Sequence, residues 1–308
     1  MKLVVIGGNG FIGSHFVSSM VERGHDVVVC GHSTVPKFAH GRAFTMLDGG
    51  IAELVARFAE FEDADAVCQF ASTTVPSTSD ADPVRDIETN LVANVRLLEA
   101  MKNSACRRIV YLSSGGAVYG RPEYSPMDER HPLNPVSSYG VVKVAVENYL
   151  RMFAANAGLS VAIVRPSNPF GPGQLAGGPL GAVPIFFDHI RRGKPIQIFG
   201  DGSTVRDFIY VSDVAELIAS VVEGQVEGVF NCGSGVGLSL NGLIDMMVEV
   251  TGLEANRVNL PARAYDPPSV VLDTAHARKI LPWDPKISLR RGLEHTWAWL
   301  KAQEEKCN

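Results

Sequence analysis

Leu3-Val4-Val5-Ile6-Gly7-Gly8-Asn9-Gly10-Phe11-Ile12-Gly13 is the stretch whose reading decides the fold. Four β-prone residues run into a glycine cluster. Ser14-His15-Phe16-Val17-Ser18-Ser19-Met20-Val21 follows, its apolar residues at helical spacing. Gly8, Gly10 and Gly13 fit G-x-G-x-x-G, and Gly7, Gly10 and Gly13 fit G-x-x-G-x-x-G. Strand, glycine turn and helix, in that order, give such a pattern its meaning. Without Cβ atoms the chain turns sharply and a pyrophosphate can approach the backbone. The open N–H groups of the helix start then face the anion. A tight βα turn with no ligand is the plainer alternative; its place at the first βα turn favours nucleotide binding.

Composition bounds the rest. The chain has 308 residues, 46% hydrophobic and 20% charged, so it carries enough apolar material for one large or two modest domains. A net charge of −5 argues against nucleic acid or an anionic membrane as the main partner. No apolar run approaches the ~20 residues of a membrane span. Cys30, Cys68, Cys106, Cys232 and Cys307 are scattered and lack metal-ligand spacing. Reduced thiols, a cytoplasmic location and no metal are the expectations.

Outward from the glycines, Val27-Val28-Val29-Cys30 reads as a second strand. Dinucleotide folds place an acid at its end for the ribose 2′-hydroxyl. Gly31-His32-Ser33 stands there instead. Either His32, Ser33 or Lys37 meets a 2′-phosphate, or NAD is held by backbone and hydroxyl contacts. The absent acid leans the expectation toward NADP. Phe44–Leu47 is a third strand ending at Asp48, followed by Gly49. Asp48 could accept from an adenine amino group or cap a helix near 51–61; both readings stand. Ala66–Ser72 is a fourth strand ending near Ala71, and Pro83 opens a helix to about Lys102 that carries a polar Asn90.

Arg108–Leu112 is a fifth strand, and Ser113-Ser114-Gly115-Gly116-Ala117-Val118-Tyr119-Gly120 leaves its carboxyl end, where open α/β sheets hold ligands. A helix follows with Tyr139 and Lys143 at i, i+4 and so on one face. A free Tyr has a pKa near 10, and a nearby ammonium lowers it. The pair is therefore a sensible proton-transfer device; a surface Tyr and a solvated Lys is the alternative. Ser160–Val164 is a sixth strand. From Pro166 to Gly202 the chain turns rich in Gly and Pro, which predicts a domain change. Gly228–Gly233 reads as a strand rejoining the first sheet.

Taken together these residues resemble the extended short-chain dehydrogenase/reductases, specifically the NAD-dependent epimerase/dehydratase group that acts on nucleotide sugars. The resemblance spans nearly the whole chain. It rests on GGNGFIGSH at 7–15, SSGGAVYG at 113–120, YGVVK at 139–143, RPSNPFGP at 165–172, GDGSTVRDFIYVSDVA at 200–215, NCGSG at 231–235 and LPxR at 260–263. It implies an α/β fold: a doubly wound parallel sheet (Rossmann) with a smaller C-terminal substrate domain. The expected division is 1–167 plus about 203–238 for the dinucleotide, and about 168–202 plus 239–308 for a nucleotide-diphosphate sugar.

The resemblance also implies roles. Gly7, Gly10, Phe11, Ile12 and Gly13 would hold the pyrophosphate, Asp48 and Gly49 the adenine, and Ala71 the cofactor wall. Tyr139 would be the acid/base, with Lys143 on the nicotinamide ribose and lowering the Tyr139 pKa. Asn168, Arg206 and Arg263 would hold the sugar diphosphate, and Ser114 would touch both chemistry and substrate. The implied activity is a 4-epimerase type reaction through a transient 4-keto sugar. An NADPH-dependent 4-keto-6-deoxy nucleotide-sugar reductase is the alternative, and a non-catalytic nucleotide-binding regulator the third reading. A homodimer through helices at about 84–102 and 138–156 is implied as well. Three departures stand out. The family's catalytic Ser or Thr, four residues before Tyr119, is Gly115 here, so Ser114 must substitute or the hydroxyl assistance is weaker. Gly116-Ala117 replaces the acidic pair of the sugar dehydratases, which argues against dehydration. The acid after the second strand is missing.

Overall fold

The computed structural model describes residues 1–32, 44–174, 181–263 and 267–305. Ser33 and Lys37 lie outside the described residues. The chain begins β1 (Lys2–Ile6), α1 (Phe11–Glu22), β2 (Asp26–Gly31), β3 (Thr45–Asp48), α2 (Ile51–Ala56) and β4 (Ala66–Gln69). It continues α3 (Pro76–Ser79), α4 (Pro83–Asp86), α5 (Ala93–Lys102), β5 (Arg108–Leu112), α6 (Ser138–Ala157) and β6 (Ser160–Pro166). Then come β7 (Asn168–Phe170), α7 (Ala182–Arg191), β8 (Ile196–Phe199), β9 (Val205–Tyr210), α8 (Val211–Glu223) and β10 (Gly228–Cys232). The last elements are β11 (Gly237–Ser239), α9 (Leu240–Thr251), β12 (Arg257–Leu260), β13 (Ser269–Val270), α10 (Ala275–Ile280) and α11 (Leu289–Glu305).

Seven parallel strands form the main sheet in the order β10-β6-β5-β4-β1-β2-β3. Leu3, Val4, Val5 and Ile6 of β1 are wholly buried, because helices cover both faces of the sheet. One face packs Phe16 and Met20 of α1 with Leu217, Ile218 and Val221 of α8. The other packs Leu54, Leu97, Val146 and Leu150 from α2, α5 and α6. Order reverses between β1 and β4, which puts the loops after those strands on either side of a crevice. This is the doubly wound sheet that the glycine stretch implies.

A second sheet strings β11-β9-β13, with β7 also on β9. Beneath it lie Phe186, Phe187, Phe208, Leu243 and Trp297. Strand β9 lies in this second sheet and not in the seven-stranded one. Its partners are β7, β11 and β13, and the chain crosses back only at α8 and β10, where β10 pairs with β6. Two helices also differ in detail. The segment expected as a helix over 51–61 is α2 plus a 3-10 turn at Phe58–Phe61. Between α4 and α5 the helix widens into a π stretch, Ile87–Val92. The four described cysteines, Cys30, Cys68, Cys106 and Cys232, are free and buried. Among the described residues no helix is long and apolar enough to cross a membrane.

Candidate active site

The glycine loop closes on itself. Gly7 has φ +77°, and a Cβ there would lie 2.8 Å from the Ala71 amide nitrogen. A Cβ on Gly13 would lie 2.2 Å from the Gly7 carbonyl oxygen, and one on Gly10 3.1 Å from the same atom. Gly10 also donates its N–H to Gly7 at 2.9 Å. The helix α1 therefore starts flush against the end of β1. Gly10 is its N-cap and offers no side chain to the first amides, which Phe11, Ile12 and Gly13 supply. That leaves the helix terminus available to an anion.

A cavity of about 860 Å³ extends from this loop. Of the residues expected around a cofactor, Gly7, Gly10, His32, Gly49 and Ala71 line it, with Gly31 beside them, while Phe11, Ile12 and Gly13 are not in its lining. Asn9, Thr73 and Asn90 line it too. Its size suits a dinucleotide, and the glycine cradle is space that any Cβ would fill. Asp48 does not line the cavity; it is exposed at the end of β3, beside Gly49. The alternative reading of Asp48 as a helix cap does not hold, since α2 starts after Gly50 and Glu53 accepts the Gly50 N–H at 2.7 Å. Asn90 ties the loop after β4 to its helix: it accepts from the Thr73 amide and donates to the Thr73 and Thr74 hydroxyls.

Tyr139 and Lys143 lie one turn apart on α6, whose start is fixed by Ser137 accepting from the Gly140 amide. A small cleft lined by Tyr139, Lys143 and Asp86 shares the wall residues Ala71, Ser72 and Asn90 with the large cavity, so the pair lies next to it. Lys143 is 5% exposed. Its Nζ donates to the Leu112 carbonyl at 2.8 Å and lies 4.7 Å from the Tyr111 ring centroid and 5.6 Å from that of Tyr139. Burial lowers its pKa to about 8, against the pull of Glu147 and Asp86. The expected lowering of Tyr139 is not found. Burial pushes that phenol up to about 12, the Ser114 hydroxyl opposes the rise, and Asp86 adds to it. With Lys143 turned to Leu112, its ammonium does not reverse the desolvation.

The Ser114 hydroxyl thus hydrogen-bonds Tyr139, one residue before Gly115. The structure also explains Gly115. A Cβ there would lie 2.6 Å from Leu272 Cδ1 and 3.1 Å from the Arg165 carbonyl oxygen. No hydroxyl-bearing side chain fits at 115 without moving Leu272.

Asn168 and Arg206 come together in a smaller cavity of about 160 Å³, with Gln174, Phe208 and Leu240. Asn168 donates to the Asp207 carbonyl, and Arg206 to the carbonyls of Val205 and Pro267. Arg263 stands outside that lining: it is exposed, its guanidinium 3.4 Å from the Phe199 ring centroid. Sequence reasoning missed Asp86 and the buried pair Arg165–Glu147. Asp86 accepts from Thr74, Asn90 and Ser138. Glu147 accepts from Arg165 and Ser113. The signal for Glu147 was available, since it continues the Tyr139–Lys143 face by one more turn.

A glycine cradle at the switch point, joined to a Ser-Tyr-Lys cluster, defines a short-chain dehydrogenase/reductase type of dinucleotide site. Residues 3–233 match the model of the NAD dependent epimerase/dehydratase family, and the chain belongs to that family. It is 34% identical over 306 residues to a putative UDP-glucose 4-epimerase of Methanocaldococcus jannaschii, covering 97% of this chain and 98% of that one. It is 30% identical to a dTDP-4-dehydro-6-deoxyglucose reductase of Escherichia coli, covering 95% of each. Among solved structures, it matches a Thermus thermophilus UDP-glucose 4-epimerase in complex with NAD at TM-score 0.89 and 31% identity, over 98% of this chain and 99% of that one. The protein is an enzyme of this family and takes a nicotinamide cofactor. The expectation that leaned to NADP is not supported, because the family model and the Thermus complex both carry NAD.

Proposed function

We propose that this chain is a nucleotide-sugar 4-epimerase that works with NAD through a transient 4-keto sugar. The observation that carries the reading is that the cleft holding Tyr139 and Lys143 shares the wall residues Ala71, Ser72 and Asn90 with the glycine-loop cavity, with the Ser114 hydroxyl bonded to Tyr139. Proton and hydride transfers at one carbon need that proximity. When bound, the nicotinamide would accept and return the hydride. Tyr139 would take the proton from the sugar 4-hydroxyl and give it back. Ser114 would donate a hydrogen bond to the Tyr139 phenol or to the sugar oxygen as charge develops. Lys143 would hold the cofactor ribose, and Gly7, Gly10 and Gly13 its pyrophosphate. Asn168 and Arg206, with Arg263 brought in, would grip the sugar diphosphate through planar guanidinium groups. The second sheet and its helices would then form the substrate lobe.

The Escherichia coli relative favours a second reading, a 4-keto-6-deoxy nucleotide-sugar reductase. One experiment separates them. Purified protein is incubated with UDP-glucose and no added nicotinamide, and the sugar is followed by NMR. The epimerase reading expects UDP-galactose. Absence of epimer, together with NADPH consumed on a 4-keto-6-deoxy sugar nucleotide, gives the reductase.

We also propose a homodimer. Val84 is 65% exposed and Val141 54%, and Ile87, Tyr149 and Met152 are exposed beside them on α4 to α6. Apolar side chains at helical spacing on two helices suit a four-helix interface. Light scattering during gel filtration should give about twice the 33.1 kDa chain mass, and Val141→Asp should return a monomer. A monomeric wild type removes the proposal.

A further inference from the structure

The carboxyl end of β2 lacks the acid that usually holds an adenosine ribose, and the space beside Gly31 is tight. A Cβ on Gly31 would lie 3.1 Å from Nδ2 of Asn9 and within 3.6 Å of two further atoms of that side chain. The Asn9 amide, carried by the glycine loop itself, occupies the space where an acidic side chain would begin.

A negative group reaches the same place from the other side. Strand β3 lies parallel to β2 with Gly31 opposite Asp48, and the Gly49 amide bonds the Gly31 carbonyl. The chain then turns through Gly50 into α2, whose third residue is Glu53. Glu53 lines the cofactor cavity together with Cys30, Gly31 and His32. From the point where a Gly50 side chain would start, His32 Nε2 lies 3.3 Å away and Glu53 Oε2 3.7 Å away. The imidazole and the carboxylate therefore face one another across the end of β2. Glu53 is held ionised: the Gly50 amide donates to it and lowers its pKa, and His32 adds to the lowering. The same carboxylate raises the buried Cys30 thiol, after desolvation and ahead of Asp48, so its field reaches the last residues of β2. Arg96 and Glu88, from the helix on the opposite side, line the cavity with opposite charges.

We propose that Glu53 is the residue by which this site selects NAD over NADP. Its carboxylate replaces the missing β2 acid: it accepts a hydrogen bond from the adenosine ribose and repels a 2′-phosphate. The proposal rests on the dinucleotide reading of the cavity. A carboxylate suits a hydroxyl and opposes a phosphate dianion in the same space, because juxtaposed like charges repel.

The test compares the protein as purified with Glu53→Gln and Glu53→Asp. The glutamine keeps an acceptor for the Gly50 amide, so the start of α2 is preserved; the aspartate keeps the charge. Calorimetric titration with NAD and with NADP gives the ratio of the two affinities, and the dinucleotide released on denaturation identifies what each form retains. Wild type should retain NAD. Glu53→Gln should move the ratio toward NADP by about tenfold or more, chiefly by gaining NADP affinity. Glu53→Asp should stay near wild type. A ratio within twofold of wild type in a folded Glu53→Gln sinks the role of Glu53 and leaves the dinucleotide site standing. A wild type that prefers NADP overturns both the role and the NAD reading. A wild type that binds neither overturns the dinucleotide reading itself, and the role falls with it.

Discussion

Tyr139→Phe lowers kcat by about 10²–10⁴-fold, the usual worth of a positioned acid/base, and leaves the dinucleotide bound. The expectation follows from what the substitution removes and what it keeps. The ring stays, so the packing over Lys143 at 5.6 Å survives. The glycine cradle at Gly7, Gly10 and Gly13, proposed to hold the pyrophosphate, is untouched. Only the phenol oxygen and its bond with Ser114 go. Losing one hydrogen bond of this kind costs about 0.5–1.5 kcal/mol of stability, so the fold remains intact. The measurements are kcat for sugar-nucleotide turnover, dinucleotide affinity by calorimetry, and the melting temperature. A variant with kcat within threefold of wild type would remove Tyr139 from the chemistry.

The buried phenol gives this prediction a second edge. At about 12, the Tyr139 pKa lies far above neutrality without ligand. The group then holds its proton at neutral pH and cannot take one as it stands. Its use as a base depends on what a bound cofactor and substrate add: positive charge, and hydrogen bonds to the phenolate. Lys143, lowered to about 8 by burial, is charged below that value and largely neutral above it. Serine and lysine together do not carry Tyr139 to neutrality.

The parts of this site legible in the sequence are those that local backbone geometry encodes. Gly13 is a glycine because a Cβ there would meet the Gly7 carbonyl and the Gly8 Cα, a constraint that falls within seven residues, while Gly7 answers to its positive φ and to Ala71 of the loop after β4. Tyr139 and Lys143 were visible because helical spacing fixes their common face. The remainder depends on closure of the chain. Asp86 reaches the site only because Asn90, Thr74 and Ser138 gather around it. Glu53 meets His32 across a β3–α2 turn whose position the sheet register sets. β9 could not be assigned to its sheet because its partners, β7 and β13, are far along the chain on either side. The direction of the Tyr139 shift needed burial, which no spacing shows.

Arg165→Met should destabilise the protein by about 3–5 kcal/mol, the cost of leaving a buried ion pair half empty. Arg165 is 1% exposed and Glu147 wholly buried. Arg165 Nε donates to Glu147 Oε1 at 2.9 Å, and its other nitrogens reach Glu147 and the Tyr119 hydroxyl. Tyr119 in turn donates to Asn231 on β10, and Ser113 donates to Glu147. The network thus clamps α6, β6, β10 and the turn after β5 in one place. Removing the cation strands a carboxylate that keeps, among the described residues, hydrogen bonds from Ser113 and the partly exposed Arg151. At roughly 2 cal/mol/K per residue of unfolding entropy, that loss lowers the melting temperature by about 5–8 °C. Glu147→Leu should cost a similar amount by stranding Arg165. The double variant should cost less than the two losses summed, by about 2 kcal/mol or more, because neither charge is then left alone in the interior. Strict additivity would mean that the two side chains act separately, against the geometry. The same clamp bears on the chemistry: Ser113 precedes Ser114, and Glu147 lies one turn beyond Lys143. A loosened pair therefore should lower kcat more than it raises KM, since the reacting groups move while the glycine cradle and the Asn168–Arg206 pocket hold.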